Sequence, residues 1–343
     1  MIDLYDLNEK ELEKFFEKIG EPAYRARQLI NWLYKGINDI SEITVFSNDL
    51  KNRIKEKAYI GRLSIVKKQL SKDRNTIKYL LKLKDKNVIE TVVIKYRFGY
   101  TQCVSTQVGC RMGCAFCAST INGMERNLSS GEMIEQILAA QRDLGHKISR
   151  VVLMGSGEPF DNYDEVLKFV RCINSDNGLN IGQRHITIST CGIVPGIMKL
   201  ADEGLQVNLA VSLHAPDDEI RSQIMPINKK YGIADILQAC KYYTLRTNRR
   251  VTFEYALIRG FNDSIHHAVE LARLLRDMLC HVNLIPVNEV NNQFVRPSEE
   301  RIQEFAKTLQ NRGISTTVRR ELGSDIDAAC GQLRRSYMNS IGK

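Results

Sequence analysis

Apolar residues along the first sixty positions recur at helical spacing: Leu12, Phe15, Phe16 and Ile19 form one stripe, and Leu29 and Leu33 form another around Trp32. These predict a small helical accessory domain over residues 1–60. From about residue 61 the period shortens to two. Ile77, Tyr79, Leu81 and Leu83 alternate with Lys78, Lys82 and Lys84, which predicts a strand with one basic face, interrupted only by Leu80. The next strand, Val88 to Ile94, sets Glu90 on the same side as Val88, Val92 and Ile94, so a carboxylate stands among aliphatic neighbours. Residues 61–98 therefore read as a small basic β extension. Beyond residue 100 short β-rich runs (VVLMGSG, HITIST, VNLAVSLH, VTFEYALI, HVNLIPVN and STTVRREL) alternate with amphipathic segments near 163–175, 232–246, 264–280 and 298–312. Repeated βα units predict an α/β core over 99–343 with a parallel sheet closed into a full or partial barrel. In such barrels the reacting groups sit at the C-terminal strand ends. Cys110, Gly157, Ser189, His214 and Asn288 all follow or end strands.

Composition sharpens this picture in three places. The chain is 43% hydrophobic and 26% charged with seven prolines, which fits a folded protein with a substantial core and excludes disorder. The start, MIDLYDLNEKELEKFF, is acidic and lacks a signal-peptide pattern, and no run approaches the roughly 20 apolar residues of a membrane span, so a cytoplasmic protein with no membrane partner is expected. Nine cysteines, three of them within eight positions, fit metal or redox chemistry better than a disulfide framework. The net charge of +9 is localised: residues 61–97 hold eleven Lys or Arg against Asp73, Asp85 and Glu90, and 11 − 3 = +8. Such a patch beside a catalytic core suits a polyanion such as RNA, and equally a solvated strand face. No aromatic stacking platform stands out in the sequence.

The chemistry concentrates in CRMGCAFC, where Cys110, Cys114 and Cys117 are spaced C-x3-C-x2-C in a loop after the first core strand. Ser129 to Glu132 then read as a capping box that opens a helix through Leu144. Three thiolates on one loop can hold three irons of a four-iron cluster and leave the fourth open to a substrate. A structural zinc site wants a fourth ligand, and no second CxxC or nearby Cys/His pair supplies it.

This spacing at the mouth of a βα barrel resembles the radical S-adenosylmethionine superfamily, which implies a partial (βα)6-type barrel, a [4Fe-4S] cluster and reductive cleavage of S-adenosylmethionine to a deoxyadenosyl radical. Phe116 matches the usual aromatic of that motif, and Gly155-Ser156-Gly157-Glu158-Pro159 is similar to its glycine-rich segment, with Glu158 facing the methionyl amine. The resemblance narrows at Cys330 in DIDAACGQL and at Cys103, seven residues before the cluster motif. With ETVVIKY, CVSTQVGC, RNLSSGEMIEQ, GEPFDNYDEV, ITISTCGIVPGI, NLAVSLHAPDDEIRSQIMPIN and NLIPVN, nearly the whole chain resembles the RNA adenine methyltransferases of the RlmN type. Ser156 stands where many members carry Met.

That resemblance implies a methyl transfer to C2 of an adenine in 23S rRNA and to the tRNA adenosine 3′ of the anticodon. Two S-adenosylmethionine molecules serve each turnover. Cys330 would take the first methyl group, the radical would activate it for addition to the base, and Cys103 would release the product by forming a disulfide with Cys330. Glu90 would accept the ring proton. Gly157, Glu158, Ser189, Ser212, Leu213, His214 and Asn288 would contact S-adenosylmethionine. An external electron donor and a disulfide reductant are implied, and a monomer is expected. The related resistance enzymes, which methylate C8, share these cysteines, but CRMGCAFCASTINGMERNL is closer to the C2 group. A zinc-stabilised RNA-binding protein and a glycyl-radical activase are the other classes considered. Cys172, Cys191, Cys240 and Cys280 read as small buried hydrophobes.

Overall fold

The N-terminal periodicity becomes three helices, α1 (Glu9–Lys18), α2 (Arg25–Leu33) and α3 (Asn48–Lys57), in a computed structural model that describes residues 1–287, 294–319 and 326. Asn8 caps α1 by accepting from the Glu11 N–H, and Ser47 does the same for Leu50 in α3. Leu12, Phe15, Phe16 and Ile19 are buried as one face. A short parallel pair, β1 (Ile2–Asp3) with β2 (Ala58–Tyr59), ties the two ends of this segment together.

The remaining strands are β3 (Ser64–Leu70), β4 (Thr76–Lys82), β5 (Val88–Tyr96), β6 (Gly99–Cys103), β7 (Gln107–Gly109), β8 (Met124–Asn127), β9 (Ile148–Leu153), β10 (Ile186–Thr190), β11 (Asn208–Ser212), β12 (Val251–Leu257), β13 (Cys280–Pro286) and β14 (Thr316–Val318). The helices between them are α4 (Ser130–Leu144), α5 (Tyr163–Asn174), α6 (Val194–Asp202), α7 (Asp218–Ile224), α8 (Ile233–Thr247), α9 (Ile265–Leu275) and α10 (Glu299–Gln310). Ten strands form one mixed sheet in the order β14-β13-β12-β11-β10-β9-β6-β5-β4-β3. From β6 through β14 every neighbour is parallel, whereas β5, β4 and β3 add to the same sheet as antiparallel strands. The α/β expectation holds, and each parallel strand leads through a helix to the next.

Paired residues share a face of a sheet. Ile188, Leu209, Val251 and Cys280 lie in one lateral row and Val211, Phe253 and Val282 in another, and all are buried against the helices. The opposite face carries Val92, Cys103, Val152 and Thr187 in one row, Ser189, Ala210, Thr252 and His281 in the next, and Ser212, Glu254, Asn283 and Thr317 beyond. Apolar residues thus face the helices, and the polar face is left for chemistry. The capping box at Ser129 and Glu132 is formed. Near it the N-terminal segment docks on α4, where Asp6 accepts from the Gly131 N–H at 2.9 Å and Glu135 accepts from the Leu63 N–H at 3.0 Å.

One expectation is corrected. The alternation in β4 placed Lys78 on a basic face, yet Lys78 is fully buried with its Nζ 3.2 Å from a Glu90 oxygen. Side chains on both faces of β4 are buried, Lys78 and Leu80 on one and Tyr79 and Leu81 on the other, and Leu80, which broke the pattern, lies opposite Glu90 on the same inner face.

Candidate active site

The cysteine loop hangs between β7 and β8, an antiparallel pair that brings its two ends together. Within it the Cys117 N–H bonds the Cys114 carbonyl at 3.1 Å and the Cys110 N–H bonds the Gly123 carbonyl at 3.0 Å. Cys110, Cys114 and Cys117 are near enough for their charges to interact. Burial first, and mutual repulsion second, push the Cys110 thiol up to about 12 and Cys114 upward as well. A cation between them would reverse that preference. Among the described residues no three His, Cys, Asp or Glu side chains form a group that could hold a metal ion. Three thiols on one loop match the three irons of a four-iron cluster that a single loop can hold while the fourth stays open. Cys114 and Phe116 pack with Cys191, Ile224, Met225 and Ala256 in a small apolar cluster that shields this side of the loop.

The glycine-rich loop after β9 lies against the segment that leads into β7. The Ser156 carbonyl accepts from the Thr106 and Gln107 N–H groups at 2.8 and 3.1 Å, and the Glu158 N–H bonds the Gln107 side chain at 2.9 Å. Gly157 has φ +110°, and a Cβ there would stand 2.7 Å from the Gln107 backbone nitrogen, so only glycine fits. The buried Ser156 and Thr106 hydroxyls have no hydrogen-bond partner among the described residues, which leaves polar atoms available beside this bare backbone. The Glu158 carboxylate accepts from the Phe160 N–H at 3.0 Å and the Cys191 N–H at 2.7 Å. Burial raises its pKa, and those donors oppose the rise.

Ser189 and Ser212 sit half-buried at the ends of β10 and β11, followed by the buried Leu213 and His214. His214 adopts a left-handed φ of 59°. Its Nδ1 accepts from the Ala256 N–H at 2.9 Å, which leaves the proton of the neutral ring on Nε2. Burial, aided by Arg221, pushes its pKa down to about 3. The ring meets Phe116 edge-on at 4.8 Å, so the segment that follows β11 touches the cysteine loop directly. Asn288 and Cys330 lie outside the described residues.

Glu90 and Cys103 share the inner face, since Cys103 pairs with Val92, two residues beyond Glu90 on β5. The Ser105 hydroxyl joins the β5 backbone to the glycine-rich loop, donating to the Glu90 main-chain carbonyl at 2.6 Å and accepting from the Ser156 N–H at 2.9 Å. Lys78 and Arg221 were missed in the sequence. The tight turn between β4 and β5 pairs Lys82 with Val88, and this register, counted back along the hairpin, would have brought Lys78 and Glu90 to one face. Arg221 has no comparable signal.

A family model for the Radical SAM superfamily matches residues 104–275, and one for the ribosomal RNA large subunit methyltransferase N-terminal domain matches residues 2–60. A protein of Thermoanaerobacter sp. (strain X514) named probable dual-specificity RNA methyltransferase RlmN is 55% identical over 98% of this chain and 99% of its own length. The chain belongs to the RlmN family. A relative of the same name from Clostridium tetani is 53% identical over 100% of this chain and 99% of its own. The crystal structure of a radical SAM methyltransferase from Sphaerobacter thermophilus superposes with a TM-score of 0.92 at 47% identity, covering 97% of this chain and 99% of that one. The enzyme is thus a radical SAM RNA methyltransferase that uses a [4Fe-4S] cluster and S-adenosylmethionine. Among the described residues no helix is long and apolar enough to cross a membrane.

Proposed function

We propose that the enzyme methylates C2 of an adenine in large-subunit ribosomal RNA, and the tRNA adenosine 3′ of the anticodon, through a methyl group carried on Cys330. The observation that carries this reading is the shared inner face of Glu90 and Cys103, with Ser105 joining the Glu90 backbone to the glycine-rich loop after β9. Cys110, Cys114 and Cys117 hold the cluster. Gly157, Glu158, Ser189, Ser212, Leu213, His214 and Asn288 hold S-adenosylmethionine, with the His214 Nε2–H as a fixed donor. When bound, these groups supply a one-electron cleavage of the sulfonium and the radical that follows. The Cys330 thiolate takes a methyl group from one S-adenosylmethionine by displacement, releasing the thioether. Glu90, held in place by Lys78, receives the proton that leaves the ring carbon. Cys103 attacks the Cys330 sulfur, freeing the methylated base, and the disulfide that results needs two electrons from an external reductant. A separate one-electron donor serves the cluster.

RNA also suits the surface. Tyr96 and Phe98, both exposed, stack at 5.0 Å, the Arg150 guanidinium lies 4.2 Å over Phe98, and Lys95, Arg97 and Lys147 are exposed around them. Aromatic faces among cations bind unpaired nucleotides, so this exposed pair, not evident from the sequence, supports an RNA path here. In this reading residues 1–60 and 61–98 grip RNA, residues 99–343 carry the chemistry, and the enzyme works as a cytoplasmic monomer. The deciding experiment incubates ribosomal and transfer RNA with anaerobically reconstituted enzyme and methyl-labelled S-adenosylmethionine, followed by nucleoside mass spectrometry. Label at adenine C2 that is lost in Cys330→Ala is the expected result. Label at C8 overturns the position, and unlabelled RNA overturns the substrate.

A further inference from the structure

Arg221 on α7 is fully buried and makes no direct ion pair among the described residues; Asp218, on the same helix, is the carboxylate that acts on its charge from farther off. The Arg221 donors go to neutral oxygens: Nε to the Leu213 carbonyl at 3.0 Å, Nη1 to the Asn228 side chain at 2.7 Å and the Tyr231 carbonyl at 3.5 Å, and Nη2 to the Cys191 and Ser212 carbonyls at 2.7 and 3.0 Å. A buried charge without a counter-ion is costly, and folds tolerate it where dipoles solvate it or another charge answers it. The five oxygens do the first. Burial lowers the guanidinium pKa only to about 10, so the charge persists at neutral pH.

The location of Arg221 suggests what answers the charge. Three residues on, the Ile224 carbonyl accepts from the Ala115 N–H of the cysteine loop at 2.9 Å. Ile224 and Met225 pack in the same apolar cluster as Cys114 and Phe116, and a Cβ on Gly113 would touch Pro226 at 3.3 Å. The cysteine loop is therefore hydrogen-bonded and packed to the C-terminal end of the helix that carries this buried cation.

We propose that Arg221 is a positioning residue whose buried guanidinium is a counter-charge of the iron-sulfur cluster and raises its reduction potential. This rests on Cys110, Cys114 and Cys117 as the ligands. One electron from the external donor adds one negative charge to a cluster already held by three thiolates, and no bond in the protein changes. A fixed cation in a poorly screened interior stabilises the reduced form more than the oxidised form.

The test is a reductive titration of anaerobically reconstituted enzyme, followed by the electron paramagnetic resonance signal of the reduced cluster. Arg221→Gln removes the charge, Arg221→Lys keeps it with fewer hydrogen bonds, and Asn228→Asp leaves Arg221 in place but sets a carboxylate on the atom 2.7 Å from Nη1. The R221Q and N228D enzymes are expected to lose at least tenfold in the equilibrium constant for reduction, a midpoint about 59 mV more negative, while R221K stays within about threefold of wild type. Wild-type midpoints in both R221Q and N228D overturn the proposal, and so do equal shifts in R221Q and R221K with N228D unmoved. If R221Q fails to assemble a cluster, N228D decides alone. Cys114→Ala keeps these outcomes apart from the ligand reading: full cluster iron in that variant sinks the ligand assignment, whereas iron loss with unmoved N228D sinks only the role of Arg221.

Discussion

Alanine at Gly157 would force a side chain into a loop whose backbone leaves no room for one. Its Cβ would lie 2.7 Å from the nitrogen and Cβ of Gln107 and from the Thr106 hydroxyl, against an ordinary contact of 3.4 Å, so the loop would have to retreat by about 0.7 Å. Two of the obstacles, the Gln107 nitrogen and Cβ, are backbone and near-backbone atoms that cannot rotate away. A φ of +110° adds strain of about 1–3 kcal/mol for any residue with a Cβ. The retreat also stretches the bonds from Thr106 and Gln107 to the Ser156 carbonyl, now 2.8 and 3.1 Å, at about 1 kcal/mol. Together these amount to about 2–4 kcal/mol, which at about 1.4 kcal/mol per tenfold weakens S-adenosylmethionine binding by roughly thirtyfold to several hundredfold. Equilibrium dialysis of labelled S-adenosylmethionine against reconstituted enzyme, with cluster absorbance matched, reads this directly. Gly145→Ala is the control, because Gly145 also has positive φ, +67°, but caps α4 with nothing within 4 Å. It should cost about 1 kcal/mol of stability and leave binding alone. Wild-type affinity in Gly157→Ala, or equal weakening in Gly145→Ala, would refute the argument.

Three further outcomes follow from other parts of the molecule. Single alanine substitutions at Cys110, Cys114 or Cys117 should abolish cluster iron and visible absorbance, whereas Cys172→Ala and Cys240→Ala, which remove thiols packed elsewhere in the fold, should keep both. Asp3, whose carboxylate burial raises to about 6 from 3.8, binds its proton more tightly folded than unfolded, so its contribution is fully present below pH 4 and is lost as pH rises through 6. Asp3→Asn retains an oxygen for the Tyr5 and Gly61 N–H groups and should therefore stabilise the protein at pH 8 by about 1–2 kcal/mol, partial exposure being discounted, but not at pH 4. Urea midpoints at the two pH values check this, and an equal gain at both would sink it. Replacing Tyr96 and Phe98 together by alanine should weaken RNA binding about tenfold or more and raise KM with kcat unchanged; an unaltered gel-shift affinity would remove this surface from the RNA path.

The parts legible in the sequence were those with a strong local period or a fixed spacing. The parallel strands could be read because each carries an apolar stripe for the helices, and the cysteine loop because three thiols in eight positions have few other uses. The helix after Ser129 announced itself through a capping box, which is contained within four residues. Lys78 was misread for a physical reason: a period of two marks polar residues as solvent-facing only where one face of the strand is open, and β4 is covered on both.

Arg221 shows where local pattern stops informing. In the sequence it follows Asp218 and Glu219 near the start of a short helix, the usual company of an exposed arginine, yet its hydrogen bonds run to carbonyls at residues 191, 212, 213 and 231. Those oxygens gather only once β10, β11 and α7 are assembled, so no window of sequence contains the reason for its burial. The same holds for the exposed stack of Tyr96 and Phe98, two residues apart across a turn, since equal spacing inside a strand would only have put them on one face. Charges buried without a partner are expensive enough that assembly alone seldom explains them. A guanidinium solvated by five neutral oxygens, on a helix whose Ile224 carbonyl accepts from the Ala115 N–H of the cysteine loop, is a feature to be explained by what that loop holds.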